Sequence, residues 1–172
     1  VIRIVIAEDQ EILCETISSL LNLEDDMKVV GHAANGEEAI NLVHALKPDV
    51  CLMDIDMLII SGLEAAEILK SLGCKVIILT TFARKGYWQR ALKADVRGYL
   101  LKDSPSEDLV YSIRRIISGK RIYSQELMDE ECNRTEIAEE PIIIEATDSK
   151  PMLRTVRGYL STIREKMKLL TG

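Results

Sequence analysis

The 172-residue sequence predicts an α/β fold, a doubly wound five-stranded parallel sheet followed by a short, mostly helical C-terminal segment. Three observations carry this expectation. Short β-rich runs alternate with helical patterns five times between residues 2 and 118. The run "VCLM" at 50–53 is apolar at every position, as a strand buried on both faces requires. Each crossover between parallel strands is right-handed and passes over one face, so five such units place helices on both faces.

The first strand is Ile2–Ala7, and the helix near 11–22 keeps Ile12, Leu13, Thr16, Ile17, Leu20 and Leu21 at helical spacing. The second strand is Lys28–Ala33. Asn35, with Glu38 three residues on, has the chemistry to open the helix near 37–46. The third strand, Val50–Met53, precedes a helix near 62–72, and the fourth, Lys75–Leu79, precedes a helix near 86–94. The fifth, Gly98–Leu101, leads to a helix near 105–118 striped by Leu109, Ile113, Ile116 and Ile117. "SPSE" at 104–107 offers that helix a cap, a first-turn proline and a capping-box glutamate, and Gly119 stands where it should stop. With five strands, the flavodoxin-like order 2-1-3-4-5 is the common arrangement.

Periodicity fails after about residue 120. Residues 123–150 read as a linker, disordered or degenerate, in which Pro141 interrupts any helix and Ile142–Ile144 form either a short strand or an apolar stretch. A helix is expected from Leu153 to Leu169, with Val156, Leu160, Ile163 and Met167 on one face. Charge divides along the same line. Residues 150–172 carry a net +5, so the remainder holds −11 of the chain's −6 total. An acidic body with a basic tail suggests two jobs, although a solvated basic helix end is the plain alternative. The four cysteines form no C-x-x-C pair and suit packed, reduced thiols in a cytoplasmic protein. No apolar run approaches membrane-spanning length, so no membrane insertion is expected. His32 and His44 fall away from any crevice and read as ordinary surface or half-buried residues.

The carboxylates explain what such a body does. In the 2-1-3-4-5 order, ligands bind beyond the carboxyl ends of strands one and three, where strand order reverses. Glu8 and Asp9 end strand one and Asp54 ends strand three. Each like-charge pair at about 4 Å costs on the order of 4 kcal/mol at an effective dielectric near 20, so a proton or a cation must resolve the crowding. A hard, oxygen-preferring ion such as Mg²⁺ suits the site and leaves Asp54 available as a nucleophile. Thr80 and Lys102, at the ends of strands four and five, bring a hydroxyl and an ammonium to the rim, fit to hold phosphoryl oxygens. A lone Thr or Lys at a strand end is ordinarily just solvated. Four strand ends bearing these groups in this order are not.

"IAEDQ", "DVCLMDIDM…SGLEA", "ILTTFA" and "GYLLKDSPSEDL" resemble the receiver domain of bacterial two-component response regulators, over about residues 1–125. "LTTFARKGYWQRALKA…GYLLKDSP" is similar to the branch bearing a LuxR/NarL-type helix-turn-helix, and within it to regulators of membrane-lipid desaturation. The resemblance implies a receiver domain over 1–122 that accepts a phosphoryl group on Asp54 from a sensor histidine kinase. It implies Mg²⁺ held by Glu8, Asp9, Asp54 and the Asp56 backbone carbonyl. It further implies Lys102 as the phosphate-contacting lysine, Thr80 as the switch hydroxyl, and Tyr99 as the aromatic that moves inward on activation. The chain would be a cytoplasmic transcription regulator that homodimerises on phosphorylation, and no enzyme beyond its own phosphorylation and dephosphorylation. Two departures stand out: Leu58, with Ile59 and Ile60, replaces the usual proline-led loop, and Asp95 replaces a glycine often needed for positive φ.

The tail departs most. "RTVRGYLSTIREKM", within 151–172, is similar to a LuxR-type recognition helix, with Lys150, Arg154, Thr155, Arg157, Arg164 and Lys166 as DNA-contact candidates. The helices that should precede it have no good counterpart in 132–150, beyond a faint scaffold-like "TEIAEE". The helix-turn-helix is therefore expected to be partial. Two alternatives remain open. One is a stand-alone receiver acting by protein contact. The other is a haloacid-dehalogenase-type phosphatase using the D-x-D of "DIDM", against which stands an acidic pair that precedes the nucleophile strand.

Overall fold

A computed structural model of the chain describes residues 1–82, 84, 86–127 and 142–144. The expected alternation is present: β1 (Ile2–Ala7), α1 (Glu11–Leu21), β2 (Met27–Ala33), α2 (Gly36–Leu46), β3 (Val50–Asp54), α3 (Gly62–Leu69), β4 (Lys75–Thr80), α4 (Tyr87–Lys93), β5 (Gly98–Leu101) and α5 (Ser106–Ile117). The sheet runs β2-β1-β3-β4-β5 in the expected order and then continues.

The continuation extends the expected five-stranded sheet by two short strands. β6 (Ile122–Ser124) pairs parallel to β5, and β7 (Ile142–Ile144) pairs parallel to β6, giving seven strands among the described residues. β6 spans the expected domain boundary at residue 122, and β7 lies within the segment 123–150. Three-residue strands are too short to show a period, which is why the sequence reading passed over them. Beyond β6, Leu127 is also buried in the core.

Strand alternation builds two cores. Ile4, Ile6, Leu52, Ile77, Leu79 and Leu100 pack with α1 and α5, through residues such as Ile17, Leu21, Ile113 and Ile116. Val5, Ala7, Cys51, Met53, Val76 and Ile78 face α2, α3 and α4. Every residue of β3 is buried, as its unbroken apolar run requires.

The helix ends follow their chemistry with one exception. Asn35 caps α2 through its side chain, which accepts the Glu38 N–H at 2.9 Å, and Glu38 accepts the Ala34 N–H at 2.8 Å. Gly119 (φ 96°) ends α5 in a Schellman arrangement: its N–H donates to Ile116 O at 3.0 Å, and that of Lys120 donates to Arg115 O at 3.0 Å. The exception is "SPSE". Pro105 (φ −53°, ψ 146°) stays extended as the cap position, so α5 starts at Ser106 and no side-chain cap bond forms.

The three cysteines among the described residues are free. Cys14 and Cys51 are buried, and burial pushes the Cys14 thiol up to about 11 and the partly buried Cys74 thiol to about 12. His32 and His44 are exposed, as expected of surface residues.

Candidate functional site

Three strand ends converge on one crevice. Register places Ala7 beside Met53 and Asp54 beside Leu79, so the residues that follow β1 meet the end of β3, with the end of β4 adjacent. Glu8, Asp9 and Asp54 each offer a carboxylate oxygen, and these atoms lie within 4.8 Å of one another. Glu8 and Asp54 are buried, at 4 % and 6 % exposure, whereas Asp9 faces solvent.

Lys102, at the end of β5, resolves part of the repulsion. Its Nζ lies 2.7 Å from Glu8 Oε2 and 3.1 Å from Asp54 Oδ1, and only 6 % of the residue is exposed. One ammonium thus bridges two buried carboxylates. Burial lifts the Glu8 carboxyl above its ordinary range, and Lys102 opposes that rise without cancelling it. Burial works to lower the Lys102 ammonium, but the hydrogen bond it donates to Glu8 and the charges of both carboxylates outweigh it and raise its pKa. Asp54 Oδ1 also accepts the Ile55 N–H at 2.8 Å, and Glu8 Oε1 accepts the Gln10 N–H at 3.2 Å.

One ammonium against three carboxylates leaves an excess of negative charge on oxygen donors. That donor set fits a hard divalent cation such as Mg²⁺ better than any softer metal.

The turn from β3 into α3 depends on a bare backbone. A Cβ on Gly62 would lie 1.9 Å from the Asp54 carbonyl oxygen, so only glycine lets α3 begin directly beneath the acid. Ser61 and Glu64 then form a full capping box at its start. Leu58 and Ile59 are exposed at 77 % and 73 %, and Ile59 takes φ 69° with the Ile60 N–H bonded back to Leu58 O at 2.9 Å. A β-branched residue at positive φ is strained.

The remaining expected residues are placed less simply. Thr80 is buried beside the crevice, but its hydroxyl donates to Phe82 O at 3.3 Å, within its own loop. The Asp56 carboxylate is taken by Arg84, 3.0 Å away, an ion pair that sequence reading missed because it joins two separate loops. Tyr99 is fully buried, with its ring stacked on that of Trp88. Trp88, at the start of α4, is core. Asp95 does adopt φ 58°, and Arg97 and Arg121 pair with its carboxylate. The DNA-contact candidates Lys150, Arg154, Thr155, Arg157, Arg164 and Lys166 lie outside the described residues.

An acidic pair, a buried aspartate and a bridging lysine on the strand ends of a 2-1-3-4-5 sheet define a receiver. Accordingly, the family model for the response regulator receiver domain matches residues 4–114, and the chain belongs to that family. Among curated relatives it is 51% identical over 181 residues to the transcriptional regulatory protein DesR of Bacillus subtilis (strain 168), spanning 98% of this chain and 91% of the relative. It is 47% identical to the uncharacterized transcriptional regulatory protein YvfU of the same strain, over 96% of this chain and 90% of the relative. A solved DNA-binding response regulator of the LuxR family from Staphylococcus aureus superposes with TM-score 0.65 at 36% identity, covering 68% of this chain and 99% of that one. A LuxR-family two-component response regulator from Aurantimonas sp. SI85-9A1 superposes with TM-score 0.68 at 27% identity, covering 73% and 94%. The chain is therefore a response regulator related to transcriptional regulators of the LuxR/NarL branch.

Proposed function

We propose that the chain is a phosphorylation switch that accepts a phosphoryl group on Asp54 from a sensor histidine kinase and controls transcription. The observation that carries this reading is the single Lys102 ammonium shared by buried Glu8 and Asp54 with Asp9 alongside. In the transfer, an Asp54 carboxylate oxygen attacks phosphorus. The new P–O bond forms as the P–N bond breaks, and the imidazole leaves with its electron pair. Glu8, Asp9, Asp54 and the Asp56 backbone carbonyl would hold Mg²⁺, which when bound supplies positive charge for the phosphoryl oxygens. Lys102 already sits 3.1 Å from Asp54 and stays to neutralise the added charge. Thr80 gives up its bond to Phe82 and turns its hydroxyl toward the phosphoryl group.

Output then runs through a homodimer and DNA in the cytoplasm, with membrane-lipid genes as the target class implied by the sequence resemblance. The S. aureus structural relative is described as DNA-binding, which supports this output. Lys150, Arg154, Thr155 and Arg157 are the candidates for phosphate or base contacts, and Arg164 and Lys166 the candidates for positioning on the DNA backbone. Phosphorylated chain should bind a duplex carrying its site with strong salt dependence, and Arg154→Ala with Arg157→Ala should weaken binding and flatten the salt slope by about 2 in log–log terms. Unchanged affinity and slope in the double variant would overturn the assignment of these arginines.

A second reading gains from one observation. The alignment with DesR spans 181 residues against a chain of 172, so the relative has positions with no counterpart here. If those positions fall within the helix-turn-helix, output by protein contact is the second reading. Absence of salt-dependent DNA binding by the phosphorylated full chain would establish that reading over the first.

A further inference from the structure

Trp88 touches two tyrosines that belong to different parts of the switch. Tyr99, on β5, lies nearly parallel to the indole, with centroids 5.9 Å apart and planes inclined by 13°. Tyr123, on β6, meets the indole edge-on at 4.6 Å and 82°. All three rings are buried, with no more than 1 % of any residue exposed. Offset-stacked and edge-to-face pairs of this kind are favoured geometries, so displacing the indole disturbs both tyrosines at once.

The indole is also tied to the phosphoacceptor loop. It is the second residue of α4, and among the described residues an ion pair ties the loop ahead of that helix to the phosphoacceptor loop. Arg84 Nη2 pairs with Asp56 Oδ2 at 3.0 Å, two residues beyond Asp54, and Thr80 bonds to Phe82 O. Arg84 O in turn accepts the Tyr87 N–H at 3.1 Å, directly before Trp88. On the far side Tyr123 is held firmly: its hydroxyl donates to Val96 O at 3.2 Å and accepts from Arg121 Nη1 at 3.2 Å. β6 is the strand through which the chain beyond α5 joins the sheet, and β7 pairs with it.

We propose that Trp88 is a positioning residue of the switch: it carries displacement of the β4–α4 loop past Tyr99 to Tyr123, so that phosphorylation of Asp54 loosens the β6–β7 edge from which the basic tail departs. The inference rests on the phosphoacceptor reading. It places a readout of the switch at the sheet edge, beyond Tyr99 itself. Packed interiors pass from one discrete arrangement to another, so a small shift at the loop is enough.

Trp88 is the sole tryptophan, so its emission reports the contact without a label. The full chain with Mg²⁺ is titrated with beryllofluoride, a mimic of the aspartyl phosphoryl group, while emission and amide exchange at Ile122–Ser124 are followed. Phosphoryl uptake from acetyl phosphate is measured separately by intact mass. The wild type should change its emission and exchange about tenfold faster at Ile122–Ser124, and Asp54→Asn should do neither. Trp88→Leu should retain phosphoryl uptake and lose the exchange response, and Trp88→Phe should restore much of it; Tyr123→Leu serves the same purpose should Trp88→Leu not fold. Phosphoryl uptake by the wild type with unchanged emission and exchange, or a full exchange response in Trp88→Leu, overturns the relay. No uptake at all overturns the phosphoacceptor reading and the relay with it.

Discussion

Lys102 carries more of the site than any other side chain. It is the one described cation within bonding distance of both buried carboxylates, so Lys102→Met leaves Glu8 and Asp54 facing each other unneutralised. Breaking a buried pair from one side costs about 3–5 kcal/mol, and urea denaturation at pH 7 should register a loss of that size. Ile59 works the other way. Left-handed backbone costs an L-residue about 1–2 kcal/mol, and glycine returns part of that gain as chain entropy, so Ile59→Gly should stabilise the fold by about 1 kcal/mol in the same assay. Asp95 gives a pH signature. Burial works to raise its carboxyl, but the bond and charge of Arg121, with Arg97, outweigh burial and hold it below 3.8. A depressed acid stabilises the fold above its unfolded value and loses that contribution as pH falls through its folded one. Asp95→Asn should therefore cost up to about 1 kcal/mol at pH 7, solvent screening included, and the difference from wild type should shrink as pH falls below 3.8 and through the folded value.

The elements were legible wherever a period could develop. The first five strands and four of the five described helices lie within a residue or two of their sequence-derived bounds, and α3 closes at Leu69 where the expected helix ran to about 72; apolar runs and helical stripes are long enough to read. β6 and β7, at three residues each, are not. Caps were legible as chemistry but not as geometry. Ser61 and Ser104 both begin an S-x-x-E pattern, yet only Ser61 caps, since the extended Pro105 keeps Ser104 outside α5. Within the site, topology alone gathered Glu8, Asp9, Asp54 and Lys102, because strand ends are fixed by strand order. The Arg84–Asp56 pair and the burial of Tyr99 beneath Trp88 were out of reach, for they depend on how two loops fold toward each other and how three rings share one space.

At the scale of the whole molecule, one sheet serves two purposes. Its carboxyl edge gathers acids from β1 and β3 and an ammonium from β5, and its lateral edge takes in residues from beyond the receiver's last helix. The proposed phosphoryl chemistry at the first edge would give the second edge something to report. That chemistry is the central claim, and it is tested most directly by intact mass after incubation of the full chain with acetyl phosphate, with and without Mg²⁺, beside Asp54→Asn. The account predicts a gain of one phosphoryl group that requires Mg²⁺ and is absent in Asp54→Asn. A folded wild-type chain that gains no mass, or an Asp54→Asn chain that gains the same mass, would contradict it.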